Sequence, residues 1–519
     1  MIPLRYGPHA LLVECADLAE VAALHADLLR RQAEGTLPPV RDIVPAERTV
    51  LIDGLADPAP LAVMLANWKP ATARAAFGST IRIPVRYDGP DLAEVAKAWG
   101  GSVDDVAAIH SAHEYRVAFC GFSPGFAYLT GLPERYRLPR LATPRASVPP
   151  GAVAVAGPYT GVYPSASPGG WNLIGTTDAD LWDLGRAEPA LLVPGSVVRF
   201  VPVSSVSRSP AAPRDQATLA ASAPPAAAPA IEVIRAGALT TIQDRGRPGY
   251  AHLGVPHSGA LDQAAHRLAN HLVGNDPDAA TLESTLSGLT LRALSPVVVA
   301  VCGAVAPVRV DGRPAPWSAP IALRAGQTLD VGMATQGVRS YIAIAGGITV
   351  PRVLGSRSTD LLSGLGSADR LRDDDRIPIG DTAGPPQHAD TYPITVTAPT
   401  KAGSVIELPI VPGPRPDAFP ESARLLLAAA EFTVSPTSNR IALRLDGPAL
   451  LRTGPDTIAS EGAVLGAIQV PADGRPIMFL ADRPPTGGYP VIAVVPPDAL
   501  GPAVQAPPGT RVRFRHTGA

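Results

Sequence analysis

FCGFSPGFAYLTGL (residues 119–132), PRLATPRASVPPGAVAVAG (139–157) and YPSASPGGWNLIG (163–175) form the stretch that decides the fold. Glycine and proline recur every few residues, and β-branched and aromatic residues fill the gaps. This composition predicts short strands joined by tight turns. A glycine-lined pocket with a few polar anchors suits a small anionic ligand. The glycine turn of this pocket is Gly169–Gly170. Its polar anchors are Tyr128, Arg140, Thr143, Arg145, Tyr163, Ser165, Ser167 and Asn172.

Three segments of the chain recur in the same order further along. GAVAV at residue 151 returns as GAIQV, GGWNLI at 169 returns as GGYPVI, and PGSVVRF at 194 returns as PGTRVRF. The members of the three pairs are separated by 315, 318 and 314 residues. Ordered matches at a nearly constant separation indicate two copies of one β-rich domain. Two such copies suggest a pseudo-symmetric pair with a ligand site between them.

Composition excludes several classes of function. A net charge of −2 and a pI near 6.6 give no electrostatic case for binding nucleic acid or a membrane surface. The three cysteines form no CxxC motif, which fits a reducing cytoplasm. The first residues, MIPLRYGPHALLVE, lack the basic region and apolar run of a secretory signal, so we expect a cytoplasmic protein.

The chain of 519 residues is long enough for several domains. We expect a mainly β protein with an α/β unit at the N-terminus. An Ala-, Pro- and Ser-rich stretch resembles a flexible joint between two once-separate proteins. The predicted divisions are a small α/β unit (1–84), a first β-rich block (85–203), this linker (204–230), a β-rich region (231–395) and a second β-rich block (396–519).

The region after the linker offers polar groups but no metal site. TTIQDRGRPGY predicts a strand entering a polar glycine turn, and SGALDQAAHRLANHLVG predicts a helix capped by Ser258 or its neighbour. Asp244, Ser258 and Asp262 are candidates here to contribute to a site. Its four histidines lie five, nine and five residues apart, so no two share adjacent helical turns and we predict no metal. In the first block, His110 precedes the glycine-rich stretch, which leaves a place in the site open for it.

The second copy carries its own polar set within SEGAVLGAIQVPADGRPIMFLADRPPTGGYP. Carboxylate, guanidinium and amide groups beside a glycine turn suit a substrate amide or an acyl phosphate. The alternative is that Asp482 and Arg483 only close a turn through a surface ion pair, which would contribute little. The candidates are Glu461, Gln469, Asp482, Arg483, Gly487, Gly488 and Tyr489.

The motifs resemble a known family. FCGFSPGFAYLTGL, PRLATPR, VPPGAVAVAG and SPGGWNLIG resemble the allophanate-hydrolase-like domain found in the B-type subunit of 5-oxoprolinase. TTIQDRGRPGYAHLGVPHSGALD, SEGAVLGAIQVPADGRPI and LADRPPTGGYP resemble the C-type subunit of the same enzyme. The resemblance covers nearly the whole chain except the linker. It implies tandem cyclophilin-like β-barrels and a fusion of subunits B and C in one polypeptide.

The resemblance implies an ATP-dependent amide hydrolase component. With a separate A subunit it would open 5-oxo-L-proline to L-glutamate, through a lactam phosphorylated by ATP with Mg²⁺. None of the three lysines completes a GxxxxGK[ST] loop, so an ATP site would be of another kind, with Arg140 and Arg145 as candidates. Arginines would bind anions. Glu461 or Asp482 would act as base or amide partner.

Two other functions remain open at this stage. One is a biotin-dependent carboxyltransferase acting on urea-like amides, which the family also contains. No methionine precedes a lysine here, so the biotin carrier would come from another chain. The other is a non-catalytic regulator of a histidine kinase, because the sporulation-kinase inhibitor and anti-inhibitor pair is similar. The sequence does not decide whether copies of the chain form a homo-oligomer.

Overall fold

The fold was analysed in a computed structural model. It describes residues 1–68, 80–206, 229–286, 288–366, 369–382, 384–387, 403–455 and 457–517. Most of the linker predicted over 204–230 lies outside these residues. Within the described ranges, every helix is too short or too polar to cross a membrane.

The N-terminal unit is a four-stranded sheet covered by two helices, as the sequence predicts. Its elements are β1 (Ile2–Arg5), β2 (Ala10–Glu14), α1 (Leu18–Ala33), β3 (Asp42–Pro45), β4 (Thr49–Asp53) and α2 (Ala59–Ala66). The strand order is β1-β2-β4-β3. Asp17 caps α1, because its carboxylate accepts a hydrogen bond from the Glu20 amide at 2.9 Å. Leu24 and Leu28 on the buried face of α1 pack into the core of this unit.

The first β-rich block is a seven-stranded sheet with two helices. Its elements are β5 (Ile81–Val85), α3 (Leu92–Trp99), α4 (Val103–Ala112), β6 (Tyr115–Cys120), β7 (Ala127–Thr130), β8 (Arg145–Val148), β9 (Ala152–Ala156), β10 (Tyr159–Val162), β11 (Ser167–Gly169), β12 (Asn172–Thr176) and β13 (Val197–Pro202). The order is β12-β9-β10-β7-β6-β13-β5, and a bridge between Arg86 and Thr176 joins its two ends. Strands β8 and β11 form a separate two-stranded arch.

The region after the linker consists of two packed sheets and one helix. Its elements are β14 (Pro229–Arg235), β15 (Leu239–Gln243), α5 (Gln263–Leu272), β16 (Thr281–Thr285), β17 (Leu289–Ala293), β18 (Val297–Val305), β19 (Val308–Val310), β20 (Arg313–Pro314), β21 (Ile321–Leu323), β22 (Thr328–Val331), β23 (Gln336–Ile344) and β24 (Arg376–Pro378). The cap predicted at Ser258 is wrong. Helix α5 begins further along the chain, where the Asp262 carboxylate accepts the Ala265 amide at 3.0 Å.

The second β-rich block is a closed barrel. Its elements are β25 (Val405–Pro412), α6 (Glu421–Ala429), β26 (Glu431–Val434), β27 (Ala442–Asp446), β28 (Glu461–Gly462), β29 (Ala467–Gln469), β30 (Ile477–Phe479), β31 (Thr486–Gly487), β32 (Val491–Val494), α7 (Gly501–Val504) and β33 (Arg511–His516). The order around the barrel is β32-β29-β30-β27-β26-β33-β25, and β28 with β31 forms a two-stranded arch.

The two blocks share one topology, which confirms the predicted duplication. Each of the seven strands of the first block has a counterpart at the same place in the second order. In both, the first strand pairs with the last in parallel, β5 with β13 and β25 with β33. The arch formed by β8 and β11 corresponds to the arch formed by β28 and β31. The expectation of a mainly β protein with tandem barrels is therefore confirmed.

The two halves of the chain pack across one another. Leu12 and Leu51 of the N-terminal sheet join one apolar cluster with Phe479 and Val494 of the second barrel. Reciprocally, the 3₁₀ turn Ala251–Leu253 of the third region lies against the first block. The N-terminal unit thus contacts the second barrel, and the third region contacts the first block.

Close backbone contacts hold this crossed arrangement. The Gly125 amide donates to the Leu253 carbonyl at 3.0 Å, and the Phe122 amide donates to Thr486 Oγ1 at 3.3 Å. Gly254 has a φ of +82°, and a Cβ added there would lie 2.2 Å from the Ser123 carbonyl oxygen. Glycine is therefore required at this junction for both conformation and space.

We predict that Gly254→Ala destabilises the protein beyond the effect of its backbone conformation. Gly195→Ala is the matched control, because Gly195 has a φ of +89° with open space around its Cα. The free energy of unfolding of the control should fall by roughly 1–2 kcal/mol. Gly254→Ala should lose about 1–3 kcal/mol more, because the new methyl group overlaps the Ser123 carbonyl. Thermal unfolding of the full chain measures the difference, and equal losses would contradict the junction.

Candidate functional site

Two adjoining cavities lie where the N-terminal unit, the third region and the second barrel meet. They measure about 910 and 590 Å³ and share Pro39, Arg41, Gly54, Leu465 and Pro497 in their walls. Both volumes fall in the range typical of small-molecule sites. We call the larger one the arginine compartment, after its cationic lining. Its polar lining residues are Arg41, Arg245, His257, Ser258, Asp262, Gln263, Arg267, Arg483 and Asp498.

Arg483 is the most unusual group of the arginine compartment. Its side chain is 8% exposed, and its Nε donates to the Ala463 carbonyl at 3.1 Å. Among the described residues it has no ion-pair partner within 4 Å. Burial lowers the pKa of Arg483 to about 10, with Asp53 opposing this shift and Arg41 adding to it. A buried cation without a bound counter-charge is suited to receiving an anion from the cavity.

The other arginines of the compartment have acidic partners. Arg41 lies 2.5 Å from Asp53 of strand β4. Arg245 and Arg267 both lie near Asp278, at 3.0 and 3.7 Å, with side chains that are 57% and 41% exposed. The compartment therefore presents four guanidinium groups, of which Arg483 is the least neutralised.

Ser258 enters the compartment from a left-handed backbone position with a φ of +56°. Its Oγ lies 2.8 Å from the Asp482 carboxylate and 3.2 Å from the Thr359 carbonyl, so its single hydrogen serves one of them at a time. Asp482 in turn accepts from Arg440 Nε and Nη2 at 2.8 and 3.0 Å. A surface ion pair between Asp482 and Arg483 is not formed, since Asp482 is 1% exposed and pairs with Arg440.

Arg440 anchors a buried network beneath the compartment. It donates to Glu283 and, at 2.6 Å, to the Gly259 carbonyl, in addition to Asp482. Burial disfavours its charge, yet the two carboxylates raise its pKa above the ordinary value. Burial likewise opposes ionisation of Glu283, but Arg440 and Arg339 hold the pKa of Glu283 below its usual value. The network is thus a set of charges that stabilise one another.

The floor of the compartment is fixed by further hydrogen bonds. Asp262 accepts from Gln505 Nε2 at 2.9 Å, and the Asp262 amide donates to the Tyr341 hydroxyl at 2.8 Å. The same Tyr341 hydroxyl donates to Glu283 at 2.8 Å. These bonds join the third region to the end of helix α7 of the second barrel. They hold Ser258 and helix α5 in fixed positions relative to Arg483.

Asp244 lies beside this network but outside the cavity walls. Its carboxylate accepts from the hydroxyls of Ser356 and Ser358 at 2.6 Å each and from the Arg357 amide at 2.7 Å. Burial opposes its charge, but these hydrogen bonds lower its pKa. Its contacts hold the loop around residue 357.

The other candidates of the second copy lie in the arch. Glu461 of β28 pairs with Gly487 of β31 and accepts from Arg415 Nε at 2.9 Å. Gln469 donates to the Tyr489 carbonyl at 3.0 Å. Neither compartment is lined by this group, namely Glu461, Gln469, Gly487, Gly488 and Tyr489.

The candidates of the first copy lie in the equivalent arch. Arg145 of β8 pairs with Gly169 of β11 and contacts Asp91 at 2.6 Å. A Cβ on Gly169 would lie 2.3 Å from the Tyr163 hydroxyl, so only glycine fits over that ring. Asn172 donates to the carbonyls of Pro139 and Val155, and Arg140 is exposed. Neither compartment is lined by these residues or by Gly170.

The two arches carry the same ion pair with its charges reversed. Arg145 on β8 meets Asp91 in the first copy, whereas Glu461 on β28 meets Arg415 in the second. In each case the partner lies between the first strand and the first helix of its block. Both pairs therefore fasten an arch to a barrel at equivalent positions.

Histidines make no metal site in the described part of the chain, where no group of three or more possible ligands is found. His110 is fully buried between the Thr160 hydroxyl at 2.9 Å and the Tyr87 hydroxyl at 2.8 Å. Burial lowers its pKa to about 3, so it stays neutral. His110 thus has a packing environment rather than a place in the cleft.

The sequence missed several residues of the cleft. The N-terminal unit, to which it assigned no chemistry, supplies Arg41 and Asp53. Glu283 lies in strand β16 and Arg440 lies just before strand β27, and His257 was considered only as a metal ligand. No motif marks these residues, because only the crossed packing of the two halves brings them together. Nor does either cavity lie between the two copies, as the repeat suggested; both lie against the second.

We predict a pH dependence of stability from Asp42, beside the cleft. Its carboxylate accepts from the amides of Gly249 and Ala251 at 2.9 and 3.3 Å. Burial and the negative charge of Asp53 raise the pKa of Asp42 to about 6 in the folded protein. The protonated Asp42 therefore stabilises the fold fully only below the ordinary carboxyl pKa, and this stabilisation is lost as the pH rises through 6. Asp42→Asn keeps an acceptor oxygen and does not titrate.

The urea midpoint of wild type, relative to Asp42→Asn, should therefore fall between about pH 4 and pH 7. The fall corresponds to a loss of up to about 3 kcal/mol in the free energy of unfolding. A difference between the two proteins that stays constant over this range would contradict the assignment.

Comparison with known proteins identifies relatives of both halves. The model of the carboxyltransferase domain, subdomain C and D, matches residues 3–192, and that of the carboxyltransferase domain, subdomain A and B, matches residues 253–516. Over 287 residues the chain is 38% identical to the C-type subunit of 5-oxoprolinase from Escherichia coli K12, covering 55% of this chain and 90% of that protein. Over 138 residues it is 52% identical to the B-type subunit of 5-oxoprolinase from Escherichia coli O157:H7, covering 26% and 63%.

Two further similarities complete the comparison. Urea amidolyase of Saccharomyces cerevisiae is 33% identical over 312 residues, which is 55% of this chain and 16% of that protein. The crystal structure of TTHA0988 superimposes with a TM-score of 0.83 at 33% identity, covering 98% of this chain and 99% of the other. The chain therefore matches a B-type subunit in its first half, a C-type subunit over its second, and one solved structure over nearly its whole length.

Proposed function

Because the chain belongs to the carboxyltransferase-domain family, with subdomains C and D in its first half and A and B in its second, we propose that it is the B and C component of an ATP-dependent 5-oxoprolinase. With a separate A subunit it would open 5-oxo-L-proline to L-glutamate. Its similarity to 5-oxoprolinase subunits B and C supports this assignment.

The observation that carries the proposal is the composite cleft. Arg41 lies within residues 3–192, which match subdomains C and D, whereas Ser258 and Arg483 lie within residues 253–516, which match subdomains A and B. Either half alone would leave the arginine compartment without one wall. A fusion of the two subunits in one polypeptide therefore agrees with a shared site.

The proposed chemistry activates a stable amide. The lactam oxygen attacks the γ-phosphorus of ATP, and ADP leaves. Water then adds to the activated carbon, and the ring C–N bond breaks with protonation of nitrogen to leave an acyl phosphate. A second water hydrolyses this acyl phosphate to glutamate and phosphate. The substrate carboxylate and the phosphoryl oxygens are anions, which the guanidinium groups of Arg483 and Arg41 would bind.

This proposal moves anion binding from the arch to the cleft. Arg140 and Arg145, the candidates from sequence, lie outside both compartments, and Arg145 is already paired with Asp91. Asp482 contacts the cleft through the Ser258 hydroxyl, so we propose that it positions Ser258. Glu461 is engaged by Arg415 in the arch.

A second candidate function is biotin-dependent carboxyl transfer to a urea-like amide. It is supported by the carboxyltransferase description of both matching family models and by the similarity to urea amidolyase. The biotin carrier would be a separate chain. The same cationic cleft would then receive a carboxylate rather than a phosphoryl group.

We predict that the purified chain, mixed with the A-type subunit from its own organism, releases glutamate from 5-oxo-L-proline with ATP hydrolysis. Neither protein alone should do so, since the proposed site needs its partner. Glutamate and ADP are both measured. Without glutamate in the mixture the proposal fails, and ATP-dependent carboxylation of urea in the presence of a biotin carboxylase and carrier would support the second candidate instead.

We predict that Arg483→Met lowers kcat/KM for 5-oxo-L-proline in the mixture by roughly 100- to 1,000-fold, the usual effect of losing one buried donor to a developing anion. The thermal midpoint should not fall, because the variant removes a buried unpaired charge. Arg511→Ala, which breaks a surface ion pair with Glu431, is the control and should retain activity.

Arg145→Ala separates the two assignments of anion binding. If the cleft binds the anion, Arg145→Ala retains most of the activity that Arg483→Met loses. Full activity of Arg483→Met together with loss in Arg145→Ala would contradict the cleft and favour the arch of the first copy.

A further inference from the structure

The second, smaller compartment of the cleft has no part in the chemistry above. It measures about 590 Å³ and is lined mainly by apolar groups, with Tyr6 and Leu61 at its sides. Five prolines contribute to it: Pro8, Pro38, Pro39, Pro60 and Pro497. We call it the proline compartment. Proline rings offer flat apolar surfaces, and proline lacks the amide that would bind polar groups.

The two compartments form one continuous cleft. Arg41 and Leu465 belong to both walls, so a ligand lying across them passes from an apolar end to a cationic end. Such a ligand has a flat, weakly polar group at one end and several negative charges at the other. The four guanidinium groups of Arg41, Arg245, Arg267 and Arg483 would match a chain of phosphates.

The chain has no lysine-based phosphate loop to serve this purpose. Only Lys97 of its three lysines lies in the described residues, on helix α3 of the first block, away from both compartments. A nucleotide site elsewhere would need another set of cations. The cleft supplies such a set together with a neighbouring apolar cavity of suitable size.

We propose that the cleft is an adenine nucleotide site, with the base in the proline compartment and the phosphates in the arginine compartment. The inference rests on the proposed function, which needs ATP, and it locates ATP on this chain rather than on the A subunit. Arg483 then faces the phosphate end.

Asp57 provides the polar contact expected between the two ends. It lines the proline compartment and is exposed, and one carboxylate oxygen accepts from the Ala59 amide at 2.9 Å. Its second oxygen would accept from a ribose hydroxyl, a pairing that carboxylates make in other nucleotide sites. The ribose would thus lie at the rim of the proline compartment.

Calorimetric titration of the full chain alone, with Mg²⁺ present, tests the proposal. ATP should bind, and inorganic tripolyphosphate should compete with it. Ala56→Trp places a large ring in the proline compartment from an exposed position, and should weaken ATP binding at least tenfold without changing tripolyphosphate binding. Arg267→Ala should weaken both. Val63→Trp, on the exposed face of helix α2 and outside both linings, is the matched control and should change neither.

A second pair of probes keeps the test independent of how Ala56→Trp folds. Asp57→Ala should lower the affinity for ATP to that of 2′,3′-dideoxy-ATP, and should leave the affinity for dideoxy-ATP unchanged. The chain failing to bind ATP would overturn the inference. So would Ala56→Trp binding ATP like wild type, or Asp57→Ala weakening both nucleotides equally.

These outcomes are distinct from those of the proposed function. If the mixture with the A subunit releases glutamate while this chain binds no ATP, the nucleotide belongs to the A subunit; the inference then fails and the proposed function stands. If ATP binds with the expected sensitivity to Ala56→Trp and Asp57→Ala but no glutamate forms, the site assignment stands and the reaction is another one.

Discussion

The guanidinium of Arg440 joins the third region to the second barrel beneath the arginine compartment. It is almost fully buried and contacts Asp482 and Glu283 at once, so three charges that would each be costly inside a protein compensate one another. Glu283 belongs to the third region, whereas Arg440 and Asp482 belong to the second barrel. One ion network therefore fixes two domains, and through Asp482 it also places Ser258 at the cavity wall.

Duplication explains the frame of the molecule, and divergence of the copies explains the site. Both blocks keep seven strands in one order and an arch fastened by an ion pair. The charges of that pair are reversed between the copies, so the ion pair joins an arch to a barrel in both copies while its polarity differs. The N-terminal sheet packs against the second barrel, and the cleft forms there.

The sequence predicted much of the frame because its signals are local. Asp17 and Ser102 cap helices α1 and α4, since a short polar side chain can satisfy an amide three residues away, and such caps depend only on neighbouring residues. The repeated segments predicted two copies of one β-rich domain, because similar strands and turns give similar pairing, and the family resemblance implied that the copies are barrels. The cap of α5 was misplaced, since several polar residues precede that helix and the helix begins only at Gln263, with Asp262 as its cap.

The sequence by itself determined two β-rich copies, the helices beside them, and membership of the carboxyltransferase-domain family. Tertiary structure alone decided which polar residues meet. Asp482 and Arg483 are neighbours in sequence, yet one pairs with Arg440 beneath the floor and the other faces the cavity without an acidic partner among the described residues. Arg41 joins them from the opposite end of the chain. Burial of apolar faces between the crossed halves sets these positions, and that packing depends on the whole chain rather than on any local pattern.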